Sequence, residues 1–220
     1  MGPVMTKLTP EQVREAMEAG VLLIDLRSHA EFAKAYIPGS INLMFSRKSL
    51  PERMATAIPE GSPILLLSEE AHVAETAAEA LQGTDRNPLK GIVAGGIEAW
   101  RAAGIALAKL PQLSVADLWN RLHAPHDDLV LIDVRESFEW DLGYIEGSLL
   151  IPLGEVWQRL EELERGKELI LICEEGIRSS TAASILLHRG FTRAANVPGG
   201  FGDWFRANYP SVRPPKPPKR

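Results

Sequence analysis

The sequence predicts an α/β protein made of two tandem copies of one unit, each a parallel sheet covered by helices on both faces. Three observations carry that expectation. Short apolar runs bounded by turn residues alternate with segments of helical period, the pattern of strands joined by helical crossovers. The order of elements then returns: residues 22–43 (LLIDLRSHAEFAKAYIPGSINL) match residues 130–151 (VLIDVRESFEWDLGYIEGSLLI), with Asp25, Arg27, Glu31 and Gly39 each 108 positions before Asp133, Arg135, Glu139 and Gly147. Finally, 220 residues suffice for two domains of ordinary small size, each with an apolar core.

Taken in order, Thr9-Pro10-Glu11-Gln12 is a helix start, with Thr9 as cap, Pro10 in the first turn and Gln12 able to close a capping box. Gly20 is its stop. Residues 21–26 read as a buried strand ending in Asp25-Leu26-Arg27, and Ile37-Pro38-Gly39-Ser40 as a turn before a brief strand. Residues 47–57 read as a helix that contains Pro51. Residues 64–67 are the next strand, 71–81 the next helix, 92–94 a short strand, and Gly95-Gly96 opens a helix carrying Trp100. In the second copy Ser114-Val115-Ala116-Asp117 repeats the capped start. ILLLSEE at 64–70 returns as LILICEE at 169–175, and AGGIEAWRA at 94–102 as PGGFGDWFRA at 198–207. The domains are expected to meet between 107 and 113, dividing the chain into 1–108, 109–211 and a proline- and lysine-rich flexible tail, 212–220.

Composition narrows the classes. With 45% hydrophobic and 24% charged residues and a net charge of −5, the chain has no basic field for nucleic acid. No apolar run approaches the roughly 20 residues that cross a bilayer. The start, MGPVMTKLTP, carries no leader pattern, so secretion is not expected. A single cysteine excludes an intrachain disulfide, and a lone reactive thiol suits a reducing, cytoplasmic setting.

That cysteine marks the most informative stretch, residues 169–180 (LILICEEGIRSS). Cys173 comes directly after a buried strand rather than inside it, and is followed by a glycine-containing loop and a helix start. A packing cysteine belongs within the apolar run; this position is that of a reactive thiol beside backbone N–H donors. Gly176 lets the loop take dihedrals costly to other residues, Arg178 is a permanent cation, and Ser179 or Ser180 can cap the helix. No histidine is near in sequence, which favours activation by amides and a helix terminus over a Cys–His pair. The suited chemistry is thiolate attack on an activated sulfur–sulfur bond, leaving a persulfide on Cys173. Glu174 and Glu175 oppose a thiolate and repel dianionic donors, or else form a solvated loop surface.

These residues together resemble a tandem rhodanese, of the sulfurtransferase family. The resemblance rests on Asp25-Leu26-Arg27 and Asp133-Val134-Arg135, Tyr36-Ile37-Pro38-Gly39-Ser40 and Tyr144-Ile145-Glu146-Gly147-Ser148, the loop Cys173 to Arg178, and the two Gly-Gly pairs with Trp100 and Trp204. It implies two rhodanese-like domains, each a mostly parallel five-stranded sheet with helices on both faces. It implies Cys173 as the persulfide-forming nucleophile and a substrate-binding loop of Glu174, Glu175, Gly176, Ile177, Arg178 and Ser179, with Arg178 on the anionic part of the donor. The donor would be thiosulfate or a low-molecular persulfide, and the acceptor cyanide, a thiol or a protein. The four residues between Cys173 and Arg178 are the spacing of sulfur-transferring members; the related phosphatases use five. No cofactor, metal, nucleic acid or membrane is implied. The alternative is a non-enzymatic sulfur-relay or protein-binding domain.

In the first copy Ser68 stands at the cysteine position, Ala71 at the glycine and Val73 at the arginine. This half therefore resembles the inactive domain of tandem members, with Ser68 read as a helix-start cap rather than as the partner of His72. Asp25, Arg27, Asp133 and Arg135 read as ion pairs or hydrogen bonds that hold the fold, with Arg135 able to meet Glu139 if the residues between them turn into a helix, and Trp100 and Trp204 read as core fillers. Trp140 and Trp157 fit either a pocket mouth or a packing role. His123 and His126 have only weak metal-ligand spacing in a polar loop.

Overall fold

The computed structural model of the chain describes residues 5–125 and 128–214. It divides into two compact units, Met1–Leu110 with Leu187–Gly190, and Pro111–Leu186 with Phe191–Arg220. Two of the sequence expectations, on His126 and on residues 215–220, lie outside the described residues.

In the first unit the elements are β1 (Lys7–Leu8), α1 (Pro10–Glu18), β2 (Leu22–Asp25), α2 (His29–Lys34), β3 (Ile41–Asn42), α3 (Leu50–Ala57), β4 (Ile64–Leu67), α4 (Ala71–Leu81), β5 (Leu89–Val93) and α5 (Gly96–Ala102). The five strands are parallel in the order β1-β5-β4-β2-β3. Every residue of β2 and β4 is buried, as expected of strands covered on both faces. Leu23, Leu65, Leu67 and Val93 face one side and pack with Val13 of α1 and Trp100 of α5. Their neighbours Ile24, Ile64, Leu66 and Ile92 are buried as well, on the face that alternation assigns to α3 and α4. Pro51 does not break α3, because that helix begins at Leu50 and the proline falls in its first turn, where no N–H is needed.

The second unit contains α6 (Val115–His123), β6 (Leu129–Asp133), β7 (Leu149–Leu150), β8 (Glu168–Ile172), α7 (Ile177–His188), β9 (Ala194–Asn196) and α8 (Gly200–Arg206). The counterpart of α2 is a 3-10 segment, Ser137–Leu142, and that of α3 is two short 3-10 turns, Leu153–Glu155 and Leu160–Glu162. The parallel sheet runs β7-β6-β8-β9 and has four strands rather than the five expected. In the first copy the bonds that hold β1 to β5 include Ile92 N–H to the Thr6 carbonyl and Ala94 N–H to the Leu8 carbonyl, both 2.9 Å. The residue matching Ala94 is Pro198, which has no N–H to give. The fifth position survives as a single parallel bridge between Gln112 and Asn196.

The segment between the units changes partner at the boundary. Tyr36 and Ala108 exchange backbone bonds of 2.9 Å and Leu110 N–H reaches the Ala33 carbonyl, whereas Asn196 N–H takes the Pro111 carbonyl at 2.9 Å. The repeat has its own version of the first contact: Tyr144 and Val212 exchange two bonds of 2.9 Å. Val212 is thus the counterpart of Ala108, and the expected free tail does not begin there.

At the carboxyl ends of β2 and β6 sit two nearly identical buried ion pairs. Arg135 donates to both Asp133 oxygens (Nη2 to Oδ2, 2.7 Å; Nε to Oδ1, 3.1 Å) and to the Gly143 carbonyl at 2.9 Å. Arg27 does the same with Asp25 (Nη2 to Oδ2, 2.6 Å) and the Ala35 carbonyl (2.8 Å). Both arginines are buried, Arg135 to 1% exposure, so these are fold-holding pairs. Their value lies in neither charge being left alone. Asp133→Asn should lower the unfolding free energy by about 3–5 kcal/mol in urea titrations, because Arg135 stays buried without its counter-charge; a loss under about 1 kcal/mol would show that the pair does not carry the strand end.

Candidate active site

In the order β7-β6-β8-β9 the chain reverses its direction of travel across the sheet between β6 and β8. Open α/β sheets bind ligands outside the carboxyl ends of the strands at such a reversal. Asp133 ends β6, and Cys173 follows β8.

The loop after β8 folds back on its own sulfur. Gly176 takes φ +85, a conformation that L side chains resist, and a Cβ there would lie 2.8 Å from the Pro198 Cα. With that turn made, Gly176 N–H donates to the Cys173 Sγ at 3.1 Å, and the Ser179 hydroxyl donates to it at 3.3 Å. The helix therefore begins at Ile177, before Ser179. The expected role of Ser179 or Ser180 as a cap gives way, for Ser179, to a bond on the thiol. Cys173 is 1% exposed, more deeply set than its place after the strand suggests, yet its sulfur accepts these two hydrogen bonds.

The outer side of the loop is clamped by α8. Phe201 N–H takes the Cys173 carbonyl at 2.7 Å, and Gly202 N–H takes the Glu174 carbonyl at 3.0 Å. So close an approach needs a residue without a Cβ: at Gly200 that atom would lie 2.2 Å from the Cys173 oxygen and 2.6 Å from the Glu174 carbonyl carbon. The amides of Glu174, Glu175, Ile177 and Arg178 have no protein acceptor among the described residues. Of the expected cradle, then, only Gly176 N–H and the Ser179 hydroxyl reach Sγ; the other amides border the loop as open donors. The side chains of Glu174 and Glu175 are exposed, and Glu174 lies 3.7 Å from Arg135.

Arg178 does not stand free. Its Nη1 and Nη2 donate to the two oxygens of Glu139 at 2.6 and 2.8 Å. Glu139 sits on the 3-10 segment, where it also accepts Glu136 N–H at 2.8 Å. Sequence spacing pointed Glu139 towards Arg135; the structure pairs Arg135 with Asp133 and gives Glu139 to Arg178, 39 residues away. Burial pushes the Glu139 carboxyl up, but the Arg178 fork, the Glu136 amide and the nearby arginine charges outweigh it and hold the group below its ordinary value. Arg178 is correspondingly raised, first by its hydrogen bonds to Glu139. Trp140 belongs to the same cluster: its Nε1 donates to Asp133 Oδ2 at 2.8 Å, and its ring stacks on Tyr144 at 3.9 Å. No local signal exposed the Glu139 contact, since its partner lies on another element.

The first copy lacks this arrangement. Ser68 Oγ donates to the Glu70 carbonyl at 2.6 Å, and α4 starts at Ala71 with no side-chain cap. Ser68 is neither the expected cap nor paired with His72, whose Nδ1 lies 3.1 Å from Glu70. Among the described residues, no group of three or more His, Cys, Asp or Glu side chains is placed to hold a metal ion.

The profile of the Rhodanese-like domain family matches residues 9–103 and, again, 114–207. The chain belongs to the rhodanese-like family. Curated relatives from Bacillus subtilis include "Putative sulfurtransferase YtwF", 34% identical over 44% of this chain and 91% of that protein. "Putative sulfur carrier protein YrkF" is 35% identical over 44% of this chain and 52% of that one. "Uncharacterized protein YqhL" is 42% identical over 34% of this chain and 59% of its own length. The chain thus spans little more than half of the latter two. A solved rhodanese-related protein from Thermoplasma volcanium aligns with 46% of this chain and 97% of its own at 33% identity and a TM-score of 0.43. No helix among the described residues is long and apolar enough to cross a membrane.

Two consequences of this rhodanese-like site are measurable. Gly200→Ala should destabilise the protein by about 3 kcal/mol or more, whereas Gly166→Ala, where a Cβ meets nothing within 4 Å, should stay within about 0.5 kcal/mol; similar unfolding midpoints for the two variants would refute the clamp. Glu139→Gln should cost about 1–3 kcal/mol at neutral pH. Because the folded carboxyl is depressed, its contribution is complete above the ordinary glutamate value and fades as pH falls through the depressed one. The gap between wild type and variant should accordingly narrow below about pH 4; a gap that widens in acid would contradict the assignment.

Proposed function

We propose that the chain is a sulfurtransferase that carries a sulfane sulfur as a persulfide on Cys173. One observation carries the reading: the solitary thiol of a rhodanese-like domain accepts hydrogen bonds from the Gly176 amide and the Ser179 hydroxyl inside a loop bordered by open amides. Such donors favour a sulfur anion without a proton acceptor, and they hold their orientation before the charge arrives.

In the first half-reaction the Cys173 thiolate attacks the outer sulfur of the donor. The Sγ–S bond forms, the donor's own S–S bond breaks, and its electron pair leaves as sulfite from thiosulfate or as a thiolate from a persulfide. In the second, cyanide or an acceptor thiolate attacks the terminal sulfur, takes it as thiocyanate or a new persulfide, and returns Cys173 as thiolate. Ile177 and Arg178 contribute backbone amides to the cradle, as do Glu174 and Glu175, whose carboxylates face outward. We place the chemistry wholly in residues 109–211. The first copy is non-catalytic on this reading, since a serine hydroxyl already donating to a carbonyl has neither base nor nest to make it a sulfur acceptor. A cytoplasmic location, where the thiol stays reduced, agrees with this chemistry.

The same residues admit one other reading, a relay loaded only by a partner protein, and the exposed Glu174–Glu175 pair supports it by repelling small anions.

Incubation with glutathione persulfide or thiosulfate should add one sulfur, about 32 Da, to the Cys173 peptide in mass spectra. Cys173→Ser should abolish thiocyanate formation and leave the unfolding midpoint unchanged. A free, unmodified thiol after exposure to both donors would exclude the enzyme and leave the relay.

A further inference from the structure

We propose that Glu139 sets the donor preference of the Cys173 loop: by engaging both terminal nitrogens of Arg178 it cancels the charge that would receive a dianionic donor, so the site favours donors with a cationic or uncharged body. The inference rests on the sulfur-transfer reading and specifies its substrate class.

Arg178 is closed off by Glu139 at 2.6 and 2.8 Å. Arg135 is spent on Asp133 and the Gly143 carbonyl, lies 4.0 Å from the Phe201 ring centre, and is only 1% exposed. Arg206, on the helix that clamps the loop, pairs with Asp203. Each of these cations therefore has a carboxylate of its own. The remaining groups are negative: Glu175 is exposed, Glu136 lies within electrostatic reach of Arg178, and Glu174, 48% exposed, lies 3.7 Å from the already paired Arg135. A donor bearing two negative charges meets a negative rim and no free cation among these groups. The transferred sulfur itself has no need of a cation, because the amides of the loop receive it.

Loading from 2-aminoethyl persulfide balances without any other reactant. The Cys173 Sγ bonds to the terminal sulfur, the donor's S–S bond breaks, and 2-aminoethanethiolate leaves with the electron pair while its ammonium group faces Glu174 and Glu175. Thiosulfate undergoes the same exchange with sulfite as leaving group, but its sulfonate end must come to rest against those carboxylates.

The test measures kcat and KM for loading of the full chain by thiosulfate and by 2-aminoethyl persulfide, in wild type and E139Q, over a range of ionic strength. In wild type, kcat/KM for thiosulfate should rise with salt as repulsion is screened, and that for 2-aminoethyl persulfide should fall. E139Q removes the countercharge of Arg178 and should raise kcat/KM for thiosulfate about tenfold, chiefly through KM, and shift the cationic donor in the opposite direction. Equal losses with both donors would reduce Glu139 to a loop support and overturn the proposal. So would a wild-type thiosulfate rate that falls with salt, a measurement independent of whether E139Q folds. If thiosulfate proves the better donor while Cys173 still acquires sulfur, the charge argument fails and sulfur transfer stands; if neither donor modifies Cys173, both fall together.

Discussion

The candidate site depends on one backbone contact, the seating of α8 against the carbonyls of Cys173 and Glu174. Those two oxygens are held by the amides of Phe201 and Gly202. A peptide group is planar, so fixing its oxygen on one side directs the attached N–H to the other. The clamp thus fixes the peptide planes that carry the Glu174 and Glu175 N–H groups, the open donors that border the loop. It requires Gly200, because any side chain at that position would occupy the space of the carbonyls themselves. The first copy makes the same approach at Gly96, where a Cβ would sit 2.6 Å from the Ser68 oxygen. The Gly-Gly motif is therefore a property of the fold, and the reactive loop is an elaboration of it.

What separates the two loops is one backbone angle. Gly176 enters the left-handed region at φ +85 and delays the helix to Ile177. Ala71 at the matching position simply becomes the first residue of α4. A left-handed alanine carries a steric cost that glycine does not, so the first loop takes the shorter path into its helix. Its serine is left with a carbonyl as partner. The loss of thiol, glycine and arginine from one loop is thus a single structural change, since none of the three has a use there without the others.

Much of this was legible in the sequence. The repeat exposed both units, the placement of Cys173 at a strand end, and the buried Asp–Arg pairs, because each is written in local pattern: alternation, capping residues, glycines beside apolar runs. Less legible were features that depend on what lies across space. The fifth strand of the second sheet is lost through Pro198 at a position where only the partner's carbonyl reveals that an N–H is wanted. Val212 read as tail by its composition, although its counterpart Ala108 lies inside the fold. Glu139 read as the neighbour of Arg135, since helical spacing brings them near, but Asp133 stands closer and already fills the guanidinium fork.

The pairing of Glu139 with Arg178 also changes how charge is divided at the site. Sequence alone makes Arg178 an anion receptor beside a thiol, with one cation serving both donor and nucleophile. In the fold, charge is cancelled among side chains, and polarity is handed to amides, which carry no net charge and no rotamer freedom. An arginine held by a carboxylate adds rigidity to the start of α7 with little attraction for a distant ion. The amides act over the length of a hydrogen bond, and on the proposed reading they would stabilise whichever sulfur bears the charge, before or after transfer. A persulfide stabilised in this way is not bound so firmly that it cannot leave, because no ion pair has to break for the terminal sulfur to depart. On the proposed reading, specificity for the body of the donor and stabilisation of the sulfur would rest on different groups, the carboxylates of the rim and the backbone of the loop, and either could be altered without the other.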